Sequence, residues 1–123
     1  MMLVDTSVWI DHLRRSDAEL AAMLLEGQVL VHPWVVGELA CGNLQDRKLV
    51  LGLLQSLPSA PVASAGEVLF FIEKHALMGR GIGYVDVHLL AAARLAGTRL
   101  WTRDRQLVVV ADELGMAFAE IRH

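Results

Sequence analysis

Short apolar runs that close on a polar or acidic residue, each followed by a longer stretch of helical periodicity, constrain this chain more than any other feature. Met2-Leu3-Val4 is a compact apolar run ending at Asp5, the pattern of a buried strand. Thr6 or Ser7 stands where a cap is needed for the next helix, whose apolar positions include Val8, Trp9 and Leu13. Ser16-Asp17-Ala18-Glu19 has the spacing of a capping box and opens a helix carrying Leu20, Met23 and Leu24, which Gly27 stops. Val29-Leu30-Val31 reads as a second strand. Pro33 suits the first turn of a helix reaching about Cys41, and another helix runs from about Asp46 to Leu54.

The second half repeats the alternation. Pro58 to Ala63 reads as a loop with a short strand, and Ser64 or Gly66 starts a helix to about Met78. Three glycines between Gly79 and Gly83 exclude helix there. Tyr84 to Ala96 is a strongly apolar helix closed by Gly97. Arg99 to Thr102 follows as a strand, Asp104 to Leu114 as a helix ended by Gly115, and Met116 to Ala119 as a last strand. The order predicts one α/β domain over residues 1–123, a mainly parallel sheet of four to five strands covered by helices.

Composition narrows the functional classes. With 54% hydrophobic and 20% charged residues the chain is not disordered, and its lone Cys41 cannot form an internal disulfide, which fits a reducing cytoplasm. The longest uncharged run, Leu49 to Gly66, contains Pro58 and Pro61 and does not read as a membrane span; no export signal is visible. A mean hydropathy of +0.44 predicts that some apolar surface meets another chain, a second copy or a partner. A net charge of −3 argues against a passive nucleic-acid coat, but not against an enzyme that holds a cation among acids.

In parallel sheets, ligands bind beyond the carboxyl ends of the strands. Asp5 terminates the first strand, and Asp104 follows the Leu100-Trp101-Thr102 strand by two residues. Asp86 lies in the first turn of its helix, and Glu38 lies within a helix among Val35, Val36, Leu39 and Ala40. Taken singly, Asp5 and Asp104 are as well explained as helix caps and Asp86 as a complement to the helix dipole. Four acids from four distant segments converging at one rim need more than capping, and oxygen-ligated Mg2+ or Mn2+ relieves their repulsion.

Other residues are ambiguous. His12, His32, His75 and His123 read as surface or terminal, and His88 is two positions from Asp86, which faces it differently. Trp9, Trp34 and Trp101 suit base stacking or, more often, packing. Arg14, Arg15, Arg80, Arg103 and Arg105 are the phosphate candidates, with Arg80 and Arg103 nearest the acids in sequence.

Asp5-Thr6-Ser7-Val8-Trp9, Gly37-Glu38-Leu39, Val85-Asp86-Val87-His88-Leu89 and Thr102-Arg103-Asp104 resemble, in order, the motifs of the PIN-domain nucleases, and in particular VapC toxins of toxin–antitoxin pairs. The resemblance runs from Leu3 to the final strand. It implies a PIN-like three-layer fold and a Mg2+- or Mn2+-dependent endoribonuclease in which Asp5, Glu38, Asp86 and Asp104 are catalytic and hold the metal. Ser7 and Thr102 match positions that orient the acids or touch the phosphate. It further implies a homodimer and a VapB-like antitoxin, with Trp9 and Leu13 as candidate anchors for that partner. The alternative is a non-catalytic PIN-fold module that only binds a protein. Three other α/β readings fail on the residues. There is no G-x-G-x-x-G after the first strand, Ser7 stands where a dehalogenase-type phosphatase has a second Asp, and neither Lys48 nor Lys74 suits a receiver domain.

Overall fold

The computed structural model describes residues 1–120. Three of the apolar runs form strands, β1 (Met2–Val4), β2 (Val29–Leu30) and β3 (Arg99–Trp101), parallel and in the order β2-β1-β3. Leu3 lies between Leu30 and Leu100 in register. Single parallel bridges, Val31 to Ser59 and Leu100 to Ala117, add one segment along each outer edge. The expected four to five strands are therefore three strands with two bridged flanks. Pro58 and Pro61 surround Ser59 and have no N–H to extend its ladder. At the other edge the Ala117 segment pairs only around Leu100, through the Leu100 N–H to Met116 and the Phe118 N–H to Leu100, 2.8 and 3.1 Å.

Among the described residues, seven helices connect and cover these segments: α1 (Thr6–Arg14), α2 (Ala18–Leu25), α3 (Pro33–Ala40), α4 (Arg47–Ser56), α5 (Ala65–His75), α6 (Tyr84–Ala96) and α7 (Arg105–Glu113). Asp5, rather than Thr6 or Ser7, caps α1. Asp17, rather than Ser16, caps α2, because its carboxylate reaches the Leu20 N–H at 3.0 Å. Ser64 and Glu67 form a reciprocal capping box on α5, and Gly97 ends α6 in the left-handed region. Among the described residues, no helix is long and apolar enough to cross a membrane.

The chain runs from β1 to β2 and on to the Ser59 segment in one direction along the sheet, so right-handed crossovers put α1–α4 on one face, and the return through α5–α6 to β3 puts those two helices on the other. Leu3, Val4, Leu20, Leu89, Leu90, Leu100 and Trp101 are fully buried in the resulting core. From β1 the chain leaves toward β2, and from β3 it leaves toward Ala117 on the other edge. The direction reverses between the carboxyl ends of β1 and β3, which is where a doubly wound sheet opens a binding crevice.

Candidate active site

Asp5 stands at that crevice. Its N–H bonds to the Trp101 carbonyl at 2.9 Å, extending the β1–β3 pairing, while its side chain is nearly buried at 6% exposure. Such a carboxylate needs donors. Ser7 Oγ donates to Oδ2 at 2.7 Å and Thr102 Oγ1 at 2.8 Å, with the Ser7 N–H at 3.4 Å. The same hydroxyls accept from the Arg103 and Asp104 N–H groups at 3.0 and 3.1 Å. Ser7 and Thr102 thus tie the end of β1 to the turn that launches α7.

The other acids arrive on helices. Asp104 caps α7 through the Leu107 N–H at 3.0 Å and is exposed. Asp86, in the first turn of α6, accepts the Gly83 N–H at 2.9 Å. Glu38, exposed on α3, accepts from Thr6 Oγ1 at 2.7 Å. Capping thus accounts for the local placement of Asp5, Asp86 and Asp104, as each motif taken alone allowed, but not for their convergence.

The electrostatics report that convergence. Burial pushes the Asp86 carboxyl up from its ordinary value, the Gly83 N–H opposes the rise, and the charges of Asp5, Asp104 and Glu38 add to it. All three other acids are felt at one side chain. Among the described residues, no three His, Cys, Asp or Glu side chains are already gathered as a metal-holding group, and each of these carboxylates is turned to a local donor. The donor set still fits a hard divalent cation: carboxylate oxygens backed by hydroxyls, with unrelieved like-charge repulsion at Asp86.

The two arginines nearest the acids in sequence are engaged elsewhere. Arg103 donates to Asp11, Asp17 and Glu120 at 2.8, 2.6 and 2.6 Å, and Arg80 pairs with Glu113 at 2.9 Å. Arg14 instead lines a groove of about 620 Å3 together with Glu38. Trp9, expected to offer its ring to a partner, is buried at 3% exposure, whereas Leu13 is 39% exposed. Both line a second groove, of about 300 Å3, between α1, α2 and α4.

His32 departs from its surface reading. It is fully buried, and its Nδ1 accepts the Trp34 N–H at 3.0 Å to cap α3. His123 lies outside the described residues. Sequence reasoning missed Thr6, because its acceptor is 32 positions away and no local pattern separates it from Ser7 as a cap.

The chain belongs to the PIN-domain family, whose model matches residues 2–113. Over 121 residues it is 47% identical to the proteins called Ribonuclease VapC32 from two strains of Mycobacterium tuberculosis, covering 98% of each chain. Among solved structures it is similar to FitAcB from Neisseria gonorrhoeae, with a TM-score of 0.62 and 25% identity over 91% of this chain and 94% of that one. A FitAB complex bound to an IR36 DNA fragment shares the fold over the full length of both chains, with a TM-score of 0.65 and 18% identity.

Proposed function

We propose that this chain is the ribonuclease toxin of a toxin–antitoxin pair, hydrolysing RNA phosphodiester bonds at the crevice between β1 and β3 with a divalent cation. The ribonuclease assignment rests on the full-length likeness to the VapC32 proteins. The observation that carries the site is the raised Asp86 carboxyl, pressed by burial and by the charges of the three other acids.

Asp5, Asp86 and Asp104 would hold Mg2+ or Mn2+, with Glu38 beside them. When bound, the cation supplies the positive charge that phosphodiester hydrolysis needs at the attacked phosphate. Ser7 and Thr102 fix the Asp5 carboxylate by donating to Oδ2, so its other oxygen is left to face the crevice. Thr6 orients Glu38. Arg14, in the groove that Glu38 lines, supplies a cation to the RNA backbone in place of Arg80 and Arg103.

The antitoxin reading extends along the surface. The two grooves share Leu13 and Val50, so an apolar partner segment seated between α1, α2 and α4 leads toward Glu38. Leu13 and Leu53, 39% and 59% exposed, would anchor it, with Trp9 as the floor. Self-association would cover a different face, where Leu69, Phe70 and Leu95 stand exposed on α5 and α6.

Cleavage of total bacterial RNA by the purified chain, mapped at the new ends, tests the reading. Wild type with Mg2+ or Mn2+ gives discrete cuts; chelator and Asp86→Asn abolish them. Folded wild-type protein that cuts nothing with either metal leaves only the non-catalytic binding module. Cuts that survive chelator remove the acids from the chemistry.

A further inference from the structure

We propose that the aromatic pair Trp34–Tyr84, carried by the two helices that bear Glu38 and Asp86, is a stacking subsite for one unpaired nucleobase of the RNA. The inference rests on the ribonuclease reading and deepens it, since it names what the substrate presents next to the cut.

Placement comes first. Tyr84 is the first residue of α6, two before Asp86, and Trp34 lies one helical turn before Glu38 on α3. The two helices that bring these acids to the crevice also bring the two rings. Their centroids are 6.1 Å apart at an interplanar angle of 46°. His88 packs on both, 4.0 Å from Trp34 and 4.7 Å from Tyr84, and is itself buried at 2% exposure. The fully buried His32 supports Trp34 from 6.0 Å. The pair is thus held from beneath by two buried rings.

Exposure separates Tyr84 from the packing aromatics, while Trp34 beside it is half-buried. Trp9 and Trp101 are 3% and 0% exposed, as core rings are, whereas Tyr84 is 48% exposed although it touches a fixed cluster. A rigid ring with open area presents stacking surface at little conformational cost.

Charge supplies the second argument. The chain carries net −3, its crevice is rimmed by carboxylates, and Arg80 and Arg103 are neutralised by acids. Beyond the Arg14 cation, RNA binding here gains from a source of affinity that does not depend on positive charge. Base–aromatic stacking is one, and it requires a base free of its own helix, which selects single-stranded RNA.

The test is binding of a short mixed-sequence single-stranded RNA, with chelator present, followed by tryptophan emission and by anisotropy of a labelled strand. Wild type, Tyr84→Ala, Tyr84→Phe and the remote control Leu25→Ala are compared. Leu25 is 90% exposed at the end of α2, a helix that carries neither ring. Tyr84→Ala is expected to bind about tenfold more weakly, the loss typical of one stacked base, while the ring-retaining Tyr84→Phe restores binding and Leu25→Ala leaves it unchanged. Binding by folded Tyr84→Ala equal to wild type overturns the subsite. So does a drop in sedimenting mass caused by Tyr84→Ala without RNA, which would make the pair an interface between copies. Failure of the ribonuclease reading shows separately, as wild-type protein that cuts no RNA with Mg2+ or Mn2+.

Discussion

Thr6 Oγ1 donates a 2.7 Å hydrogen bond to Glu38 Oε1, joining the first residue of α1 to the middle of α3. Glu38 is exposed and free to sample other rotamers, so this bond aims one carboxylate at the crevice. The bond is exposed, so water replaces it when the donor is removed and little stability is lost. Thr6→Val, which keeps the shape and removes the donor, is expected to lower RNA cleavage about tenfold at an unchanged melting temperature. Thr6→Ser restores the rate, and a steady-state comparison of the three proteins decides it.

Asp86 sits where its charge is least welcome, raised by burial and by Asp5, Asp104 and Glu38. Asp86→Asn keeps an oxygen for the Gly83 N–H and removes one charge from the cluster. The expected result is a protein at least as stable as wild type, melting up to about 3 °C higher without metal, while cleavage falls by orders of magnitude. A variant that melts well below wild type would show that the acids do not crowd Asp86.

Arg103 serves α1, α2 and the segment before the chain's end through three ion pairs, with Asp11, Asp17 and Glu120, and lies 5.5 Å over the Trp101 ring. Burial works against its charge, but the three carboxylates outweigh it and hold the guanidinium protonated. Because the network is only partly exposed, Arg103→Ala is expected to cost about 1–3 kcal/mol in urea denaturation. Arg103→Lys should recover less than half of that, since one ammonium cannot reproduce a fork to three acids.

His32 sets an acid limit. Burial, with the neighbouring His88, lowers its pKa from 6.5 to about 4. Above pH 6.5 the ring is neutral folded or unfolded, so nothing is lost there. As pH falls from 6.5 toward 4 the unfolded chain takes up the proton first, and stability declines by at most about 3 kcal/mol. His32→Asn, which can still cap α3, should flatten the slope of melting temperature against pH in that window. An unchanged slope would remove His32 as its source.

Local chemistry was enough to read most of the architecture. The apolar run before Asp5, Pro33 opening α3, Ser64 starting α5 and the Gly97 stop depend on residues within a few positions of one another, and each stands in the structure as the sequence implies. Asp5, Asp86 and Asp104 were legible for the same reason: strand ends and first turns are local features, and the sheet rule says where they must gather. Tertiary structure decided what depends on docking between distant segments. The sheet narrowed to three strands because Pro58 and Pro61 leave Ser59 without a ladder, and Arg103 turned from the crevice because three acids from other elements reached it first. The burial of His32, the bond from Thr6 to Glu38 and the meeting of Trp34 with Tyr84 depend on how α1, α3 and α6 pack. Periodicity and capping fix which face a residue takes on its own helix; only the packed helices determine which side chain from elsewhere it meets.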